Sequence, residues 1–403
     1  MKKPELLAPA GNFEKLVTAL HYGADAVYMG ISELSLRARA DNFTFKELQD
    51  AAGLIRRKGK KLYITVNIFP HNRDIAMIRH HLHELRNIRP DGIIISDPGV
   101  VEMAIDSVPE IPVHISTQAN ITNHRAARFW EQLGARRLVL ARELSLDEIK
   151  EIRDNVSIDL ECFVHGAICI SYSGRCYISS FLANRSGNLG ECTNSCRWNY
   201  TLMEEMRPEE RHPVYENDRG TYVMSSRDLC MIEHLDKLYD AGINSFKIEG
   251  RMKGINYVAG VVKTYREAID GLHHKPYKVS KQSMNELSMF SSRGYTTGMF
   301  FGKQPDRDYN HDEKNKYSMS HELVGIVTSL NNGHVQLALR NTLKLGDTIQ
   351  FLSHGIENRT YVVDKILSRE GLPIESARNE QMVIIPSEPG VRANDLVRRP
   401  VSP

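Results

Sequence analysis

The sequence predicts an α/β protein in two domains: a (β/α)8 barrel of the TIM type and a small all-β barrel at the C-terminus. Between residues 1 and 275, short β-branched runs alternate eight times with helical patterns, as the strand–helix units of a closed parallel barrel require. A long cysteine-rich stretch interrupts this alternation after the seventh strand. Beyond residue 319 the chain becomes a series of short strands and tight turns, which is typical of a small β-barrel.

The barrel strands are predicted where a short apolar run follows a turn. They occupy residues 6–11 with the first turn, 26–29, 62–67, 92–96, 113–116, 137–140, 158–163 and 245–249. Two intervening helices begin with capping boxes, in which Thr44 and Ser145 each precede a glutamate by three residues. Gly23, Gly134 and Gly242 each stand between a helical pattern and a strand, where glycine commonly ends a helix. This punctuation favours the closed barrel over its alternative, an open doubly wound sheet.

The strand spacing breaks once, between the seventh strand, which ends near residue 165, and the eighth, which begins near residue 244. Loops that follow barrel strands open onto the C-terminal face, where catalytic sites are built. The cysteine-rich insertion is therefore predicted to lie at the barrel mouth. The expected domains are the barrel with its insertion 166–240 at 1–275, a linker and connecting segment at 276–318, and the β-barrel domain at 319–403.

Composition and charge indicate an ordinary globular protein. The 403 residues carry 52 lysines and arginines against 50 aspartates and glutamates, a net charge of +2. This balance neither requires nor excludes a nucleic-acid partner, because a local basic patch suffices for binding RNA. The N-terminus has no signal-peptide pattern, and no run of about 18 apolar residues occurs. We therefore expect a cytoplasmic protein with no membrane partner.

All six cysteines fall within one segment of the chain: Cys162, Cys169, Cys176, Cys192, Cys196 and Cys230. In a reducing compartment, clustered thiols indicate metal binding or catalysis more than disulfides. The spacing lacks the two close Cys-x-x-Cys pairs of a zinc ribbon, whereas iron–sulfur clusters are held by four thiolates, which a folded insertion can supply. A cluster, structural zinc and unligated thiols all remain open here, and composition does not decide which four cysteines would bind.

A resemblance to a known family is carried by residues 161–179, whose sequence is ECFVHGAIC-x4-GRCYIS. This segment resembles the signature of family U32, historically called collagenase-like peptidases. The resemblance extends to residues 5–11, 226–230, 247–251 and 293–298. It implies a 4Fe–4S cluster whose ligands, by motif, are Cys169, Cys176, Cys192 and Cys230. Cys162 and Cys196 are then spare.

Within the family, a barrel followed by a β-barrel domain is similar to the layout of members that support prephenate-dependent 5-hydroxylation of the wobble uridine of tRNA. The resemblance therefore implies an RNA-modifying hydroxylase, with tRNA and prephenate as partners and a second subunit of the same family as a further candidate partner. Related members hydroxylate a ribosomal RNA cytidine or a quinone precursor, and these targets are the first alternatives. A peptidase and a non-enzymatic RNA-binding accessory with a structural cluster are the others.

Three side chains near the ends of strands seven and eight are catalytic candidates. Alternation along a strand is expected to place Glu161, Phe163 and His165 on one inward face, flanking the end of strand seven. There His165 could transfer protons or bond to the cluster. Glu249, after strand eight, is a candidate general base. The structural alternatives are a buried structural histidine and an ion pair between Glu249 and Arg251.

The substrate-binding candidates follow from the chemistry of prephenate. A dicarboxylate needs cationic, bidentate partners, which favours arginine. Arg142 follows strand six and Arg251 follows strand eight, so both are predicted at the mouth, with a salt bridge to a nearby glutamate as the alternative for each. Arg37 and Arg39 follow strand two and are candidates for binding RNA or substrate. Further polar candidates at strand ends are Asn67 and Gln118.

The sequence contains no recognisable protease machinery. The pairs His83-Glu84 and His321-Glu322 lack the second histidine of a His-Glu-x-x-His metal site, and no Gly-x-Ser-x-Gly elbow occurs. A cysteine nucleophile paired with His165 is conceivable. However, a thiolate committed to a cluster cannot also attack a peptide.

Overall fold

The computed structural model describes residues 2–31, 42–169, 171–189, 191–197, 227–290, 294–302 and 321–401, together with four short strands between 202 and 222. Within this part of the chain the predicted fold class is confirmed: a closed parallel barrel ringed by helices is followed by an antiparallel β domain. No helix of these segments combines the length and the apolar character that crossing a membrane requires.

The first seven barrel strands alternate with six helices, and neighbouring strands pair in parallel. The strands are β1 (Glu5–Pro9), β2 (Ala26–Gly30), β3 (Lys61–Val66), β4 (Gly92–Ile95), β5 (Val113–Ile115), β6 (Arg137–Val139) and β7 (Asp159–Gly166). The helices are α1 (Phe13–His21), α2 (Phe45–Arg57), α3 (Ile75–Ile88), α4 (Pro98–Ser107), α5 (His124–Gln132) and α6 (Leu146–Asn155). Both predicted capping boxes are present, because the Thr44 and Ser145 hydroxyls accept hydrogen bonds from the amides of Glu47 and Glu148.

After β7 the chain leaves the barrel for a long excursion. Its elements are α7 (Ile178–Ala183), β8 (Leu202–Glu204), β9 (Arg207–His212), β10 (Tyr215–Asn217), β11 (Gly220–Tyr222), β12 (Asp228–Cys230) and α8 (Leu235–Asp240). β12 returns to the barrel and pairs antiparallel with β7, so that Cys230 lies opposite His165 and Leu229 opposite Gly166. The insertion predicted after strand seven is therefore confirmed in its position.

The barrel closes through β13 (Ser245–Ile248), which pairs in parallel with both β7 and β1. Helix α9 (Ile255–Asp270) follows and is buried along most of its length. The segment predicted as a linker, 276–318, contributes further structure in its described part: α10 (Lys281–Ser288) and β14 (Tyr295–Thr296), which pairs with β12. Leu287 of α10 is fully buried in the barrel's apolar core, which accounts for the folding of this stretch.

The C-terminal all-β domain is also confirmed. Its strands are β15 (His321–Asn331), β16 (His334–Leu339), β17 (Leu343–Lys344), β18 (Thr348–Leu352), β19 (Arg359–Val362), β20 (Leu367–Ser368), β21 (Ser376–Ala377), β22 (Met382–Pro386) and β23 (Leu396–Pro400). Seven of them form one antiparallel sheet in the order β19-β18-β23-β15-β16-β22-β20, and β17 pairs with β21. The sheet curves as a half-barrel around its own apolar core.

Buried polar contacts anchor this domain on the outer helices of the barrel. Arg398 of β23 is fully buried and donates to both carboxylate oxygens of Glu286 on α10, each at 2.6 Å. The Tyr22 hydroxyl accepts from the Leu396 amide at 2.9 Å. Because a bidentate guanidinium–carboxylate pair is geometrically specific, these contacts fix the position of one domain on the other.

Candidate functional site

Two arginines reach the barrel mouth from opposite walls. Arg142 follows β6, where its guanidinium lies 4.0 Å from the centre of the Phe163 ring and donates to the Ala167 carbonyl at 3.1 Å. Arg251 follows β13, and its side chain reaches the ends of β2 and β3, where it donates to the Thr65 hydroxyl at 3.3 Å. Since β2 and β6 are four strands apart in an eight-stranded barrel, the two guanidinium groups approach the opening from opposite sides.

The position of Arg251 depends on a glycine at the end of β2. The arginine is 3% exposed and also donates to the side-chain oxygen of Asn42. A Cβ at Gly30 would overlap the Arg251 guanidinium. Glycine at this position therefore leaves the space in which the buried cation lies.

The structure corrects the predicted orientation of His165. The register between β7 and β13 shifts so that Val164 is the extra residue of a β-bulge. Inward alternation therefore ends at Phe163, and His165 points outward to α9, where its Nδ1 lies 3.2 Å from the Tyr265 hydroxyl. His165 is 1% exposed, and burial lowers its pKa to about 3. The prediction that His165 shares the inward face is wrong, because the bulge reverses the direction of its side chain. No pattern in the local sequence indicates this extra residue.

Glu161 does point into the barrel, but the expectation that it flanks the end of strand seven is wrong. It lies towards the barrel floor, fully buried, with its two oxygens 3.0 Å from Arg137 Nη1 and 3.0 Å from Lys247 Nζ. Arg137 also donates to Glu5, the first residue of β1, at 2.6 Å. Burial opposes ionisation of Glu5, but the charge of Arg137 and hydrogen bonds from Arg137 and Lys61 lower its pKa to about 2. We call Glu5, Arg137, Glu161 and Lys247 the floor network.

Three further predicted residues lie at the rim of the mouth. Glu249 directly follows β13, Asn67 directly follows β3, and Gln118 lies in the turn after β5. All three are half-buried. Arg37 and Arg39 lie outside the described residues, and the roles predicted for all five stay predictions.

Three of the four predicted cluster ligands lie in the loops just beyond β7. Gly187 lies between the loops that carry Cys176 and Cys192, since a Cβ at this glycine would lie 3.6 Å from the Cβ of Cys192 and 3.9 Å from the Cys176 carbonyl oxygen. Cys169 is exposed, three residues beyond the end of the strand. All three thiols therefore belong to the part of the excursion that directly follows β7.

Cys230, the fourth predicted ligand, lies on the strand paired with β7. Its thiol is buried on the helix side of the sheet, 3.7 Å from the Tyr265 hydroxyl. Burial raises its pKa to about 11, whereas the metal-binding form of cysteine is the thiolate. The donor set as a whole has the chemistry that an iron–sulfur cluster requires, and Cys230 is the member whose deprotonation its surroundings oppose.

A single metal ion has one candidate site within the described part of the chain, and it lies elsewhere. His80, His81 and Glu84 on α3 bring their ligand atoms within 4.8 Å of one another. This helix belongs to the outer ring of the barrel. The spacing of 4.8 Å applies to atoms that bind one and the same ion. In a four-iron cluster each thiolate binds a different iron, so the four sulfur atoms lie farther apart than this.

Two contributors to this region were not predicted from the sequence. Tyr265 donates to the Val164 carbonyl at 2.8 Å and contacts His165, which is 100 residues away along the chain. Arg137 joins Glu5 to Glu161 across the barrel. No local pattern links such distant positions, so only the three-dimensional fold brings them together.

Both domains match the models of known protein families. The models of Peptidase family U32 and of the Peptidase family U32 C-terminal domain match residues 11–310 and 319–398. The chain is 39% identical to tRNA hydroxylation protein P1 of Bacillus subtilis, over 95% of this chain and 91% of that protein. It is 35% identical to tRNA hydroxylation protein P of Escherichia coli, over 96% and 92%. It is 34% identical to the 23S rRNA 5-hydroxycytidine synthase of Escherichia coli, over 71% of this chain and 42% of that protein. The chain therefore belongs to peptidase family U32.

Proposed function

We propose that this chain supports the hydroxylation of tRNA. The observation that carries the proposal is an alignment over more than nine-tenths of the chain with two proteins named for tRNA hydroxylation. That alignment takes in both domains, whereas the likeness to the ribosomal RNA synthase covers 42% of that protein. Transfer RNA is the substrate that the complete architecture supports best.

The proposed cofactor is a 4Fe–4S cluster held by Cys169, Cys176, Cys192 and Cys230. Support comes from three thiols in the loops beyond β7 and a fourth on the strand paired with β7. With a thiolate at each iron, the chemistry supplied by the bound cluster would be electron transfer rather than Lewis-acid catalysis.

We further propose prephenate as the co-substrate and the 5-position of the wobble uridine as the target. Arg142 and Arg251 support a small dicarboxylate, because each guanidinium can bind a carboxylate in bidentate fashion and they approach from opposite walls. Arg251 is buried, and a cation held out of water attracts an anion more strongly than an exposed one.

The proposed substrate contacts at the opening are Glu249, Asn67 and Gln118. Glu249 is the acid–base candidate at the opening, since the imidazole of His165 faces α9 and Glu161 is committed to the floor network. Asn67 and Gln118 would contact polar groups of the substrate from the walls that end in β3 and β5, which β4 separates.

A cysteine peptidase is not favoured by the groups around His165. Such an enzyme needs a thiolate beside an imidazole that accepts its proton. Burial has the opposite effect here: it raises the pKa of Cys230 to about 11 and lowers the pKa of His165 to about 3. Proton transfer from this thiol to this imidazole is therefore strongly unfavourable.

Nucleoside analysis of tRNA tests the proposed function. A bacterial host whose own proteins of this family are deleted should lack 5-hydroxyuridine derivatives in its tRNA, and expression of this chain should restore them. Blocking prephenate synthesis in the complemented host should abolish the restoration, and supplying prephenate should recover it. Unmodified tRNA together with restored hydroxycytidine in ribosomal RNA would move the target to the ribosome. Restoration that persists without prephenate would overturn the proposed co-substrate.

A further inference from the structure

Helix α7 connects the thiol-bearing loops to the outer surface of the excursion. On its inner side Ser179 is buried, and its hydroxyl accepts from the Thr193 amide at 3.2 Å and lies 3.7 Å from Cys192 Sγ. These contacts fix the helix to the loop that carries one of the proposed cluster ligands. Whatever binds to the outer side of α7 is therefore held close to the mouth.

The outer side of α7 presents two large aromatic rings to solvent. Tyr177 is 73% exposed and Phe181 is 79% exposed, and the adjoining Leu182 is 43% exposed. The Phe181 amide donates to the Tyr177 carbonyl at 3.0 Å, and residues four apart are neighbours on one helix face, so both rings project from the same side of the helix. Exposure of such large apolar side chains in one place marks a binding surface more often than a solvated one.

A positive charge and a further exposed ring precede this helix in the chain by a few residues. Tyr172 is 54% exposed. Arg175, exposed two residues before Tyr177, donates from Nε to the Gln118 carbonyl at 2.8 Å and lies 5.5 Å from the centre of the Phe69 ring. The guanidinium is thus held against the rim by its contacts with Gln118 and Phe69, two residues before the first ring of the α7 face, where it can meet a phosphate or stack on a base.

We propose that Tyr172, Arg175, Tyr177 and Phe181 form a stacking platform for unpaired bases of an RNA loop. This inference rests on the proposed function and specifies how the tRNA is held. Unpaired bases stack on aromatic side chains and on guanidinium planes, and a backbone phosphate complements Arg175 in charge. An apolar protein partner would gain less from an arginine within the surface. The platform holds the flanking bases of the loop while one base enters the mouth.

Binding of RNA by the full-length, anaerobically purified protein tests the platform. The probe is a fluorescently labelled anticodon stem–loop transcript, with the same sequence annealed into a full duplex as the comparison. The test variant is Tyr177→Ala/Phe181→Ala. The matched control is Phe129→Ala, which removes a ring that is 55% exposed on α5, outside the excursion. Tyr177→Phe/Phe181→Tyr keeps both rings, and thermal melting and iron content check that each variant folds and loads.

The stacking platform predicts a loss of hairpin affinity of roughly tenfold for each ring removed. Affinity should change less than about twofold in the control and in the ring-retaining variant, and duplex binding should be weak in all. Equal hairpin affinity of the wild type and the double alanine variant would overturn the platform, while restored 5-hydroxyuridine in cells would leave the proposed function standing. A double variant that changes only the oligomeric state in sedimentation would show a protein interface instead and would also overturn it.

Discussion

The floor and the mouth of the barrel use charged and reactive side chains in opposite ways. On the floor, the network of Glu5, Arg137, Glu161 and Lys247 is buried within regular strands, and its members form ion pairs with one another. At the mouth, the excursion carries the stacking platform, whose rings are exposed, and three thiols that are exposed or half-buried, those of Cys169, Cys176 and Cys192. The charges of the floor network are paired with one another, whereas the groups at the mouth remain accessible to a ligand.

This difference indicates that the floor of the barrel contributes mainly to stability and the mouth mainly to function. A buried charge is tolerated only when it is paired, and removal of its partner leaves an uncompensated ion out of water. Loops at the C-terminal face of a barrel carry the chemistry, whereas the opposite face serves stability. Changes to the floor should therefore alter unfolding with little effect on iron or RNA, and changes to the excursion should do the reverse.

The largest expected effect is the loss of iron and of activity when two thiols at the mouth are replaced. Replacing both thiols in Cys176→Ala/Cys192→Ala should remove nearly all iron and all restored 5-hydroxyuridine, because two of four cluster ligands are lost. The melting temperature of the metal-free protein should shift little, since both cysteines are only half-buried. Iron analysis and nucleoside mass spectrometry measure the loss. Cys196→Ala, at a cysteine predicted to be spare, is the control, and a fully active double variant would contradict the cluster assignment.

Removing the central cation of the floor should produce the largest change in stability. Arg137→Met leaves Glu5 and Glu161 without their shared partner and should lower the unfolding free energy by about 3–5 kcal/mol. Urea unfolding followed by circular dichroism gives the value. Arg136→Met, at the exposed neighbouring position, should change it little. Equal effects of the two substitutions would show that the floor network does not stabilise the barrel.

Acid should lower the free energy of unfolding, because Glu5 of the floor network becomes protonated. Its pKa is lowered from the usual 4.5 to about 2, so its ionisation stabilises the fold above pH 4.5, and this contribution is lost as the pH falls towards 2. Wild type should exceed Glu5→Gln in stability by about 3 kcal/mol at most at pH 7. Unfolding free energies at pH 7, 4.5 and 3 should show that the difference narrows below pH 4.5. A difference independent of pH would indicate lost packing rather than lost charge.

The smallest expected effect lies between the two regions, behind β7. Tyr265→Phe removes the hydroxyl that donates to the Val164 carbonyl and contacts His165 Nδ1, which should cost about 1 kcal/mol. Because the same hydroxyl lies 3.7 Å from Cys230 Sγ, the midpoint potential of the iron-loaded protein should also shift, as redox titration would reveal. Tyr172→Phe, at an exposed tyrosine, should change neither quantity. An unchanged midpoint potential in Tyr265→Phe would show that this tyrosine does not influence the proposed cluster.

The regular parts of the molecule could be predicted from the sequence, and long-range pairings could not. Strand periodicity and capping residues such as Thr44 are local signals, so the barrel, the position of its insertion and the β domain follow from them. The outward turn of His165 depends on one extra residue, Val164, and the partners of Glu161 lie 24 and 86 residues away. Such features are set by strand register and by the barrel interior, for which neighbouring residues carry no information.

The late arrival of β13 has a consequence for biosynthesis. Its first residue pairs with Glu5 across 240 positions of the chain, and the whole excursion must be synthesised before it leaves the ribosome. Until then the nascent sheet has two unsatisfied edges, along β1 and β7, which can associate with other chains. Closure through such distant contacts is intrinsically slow, so chaperone protection during translation should matter more for this protein than its native stability would suggest.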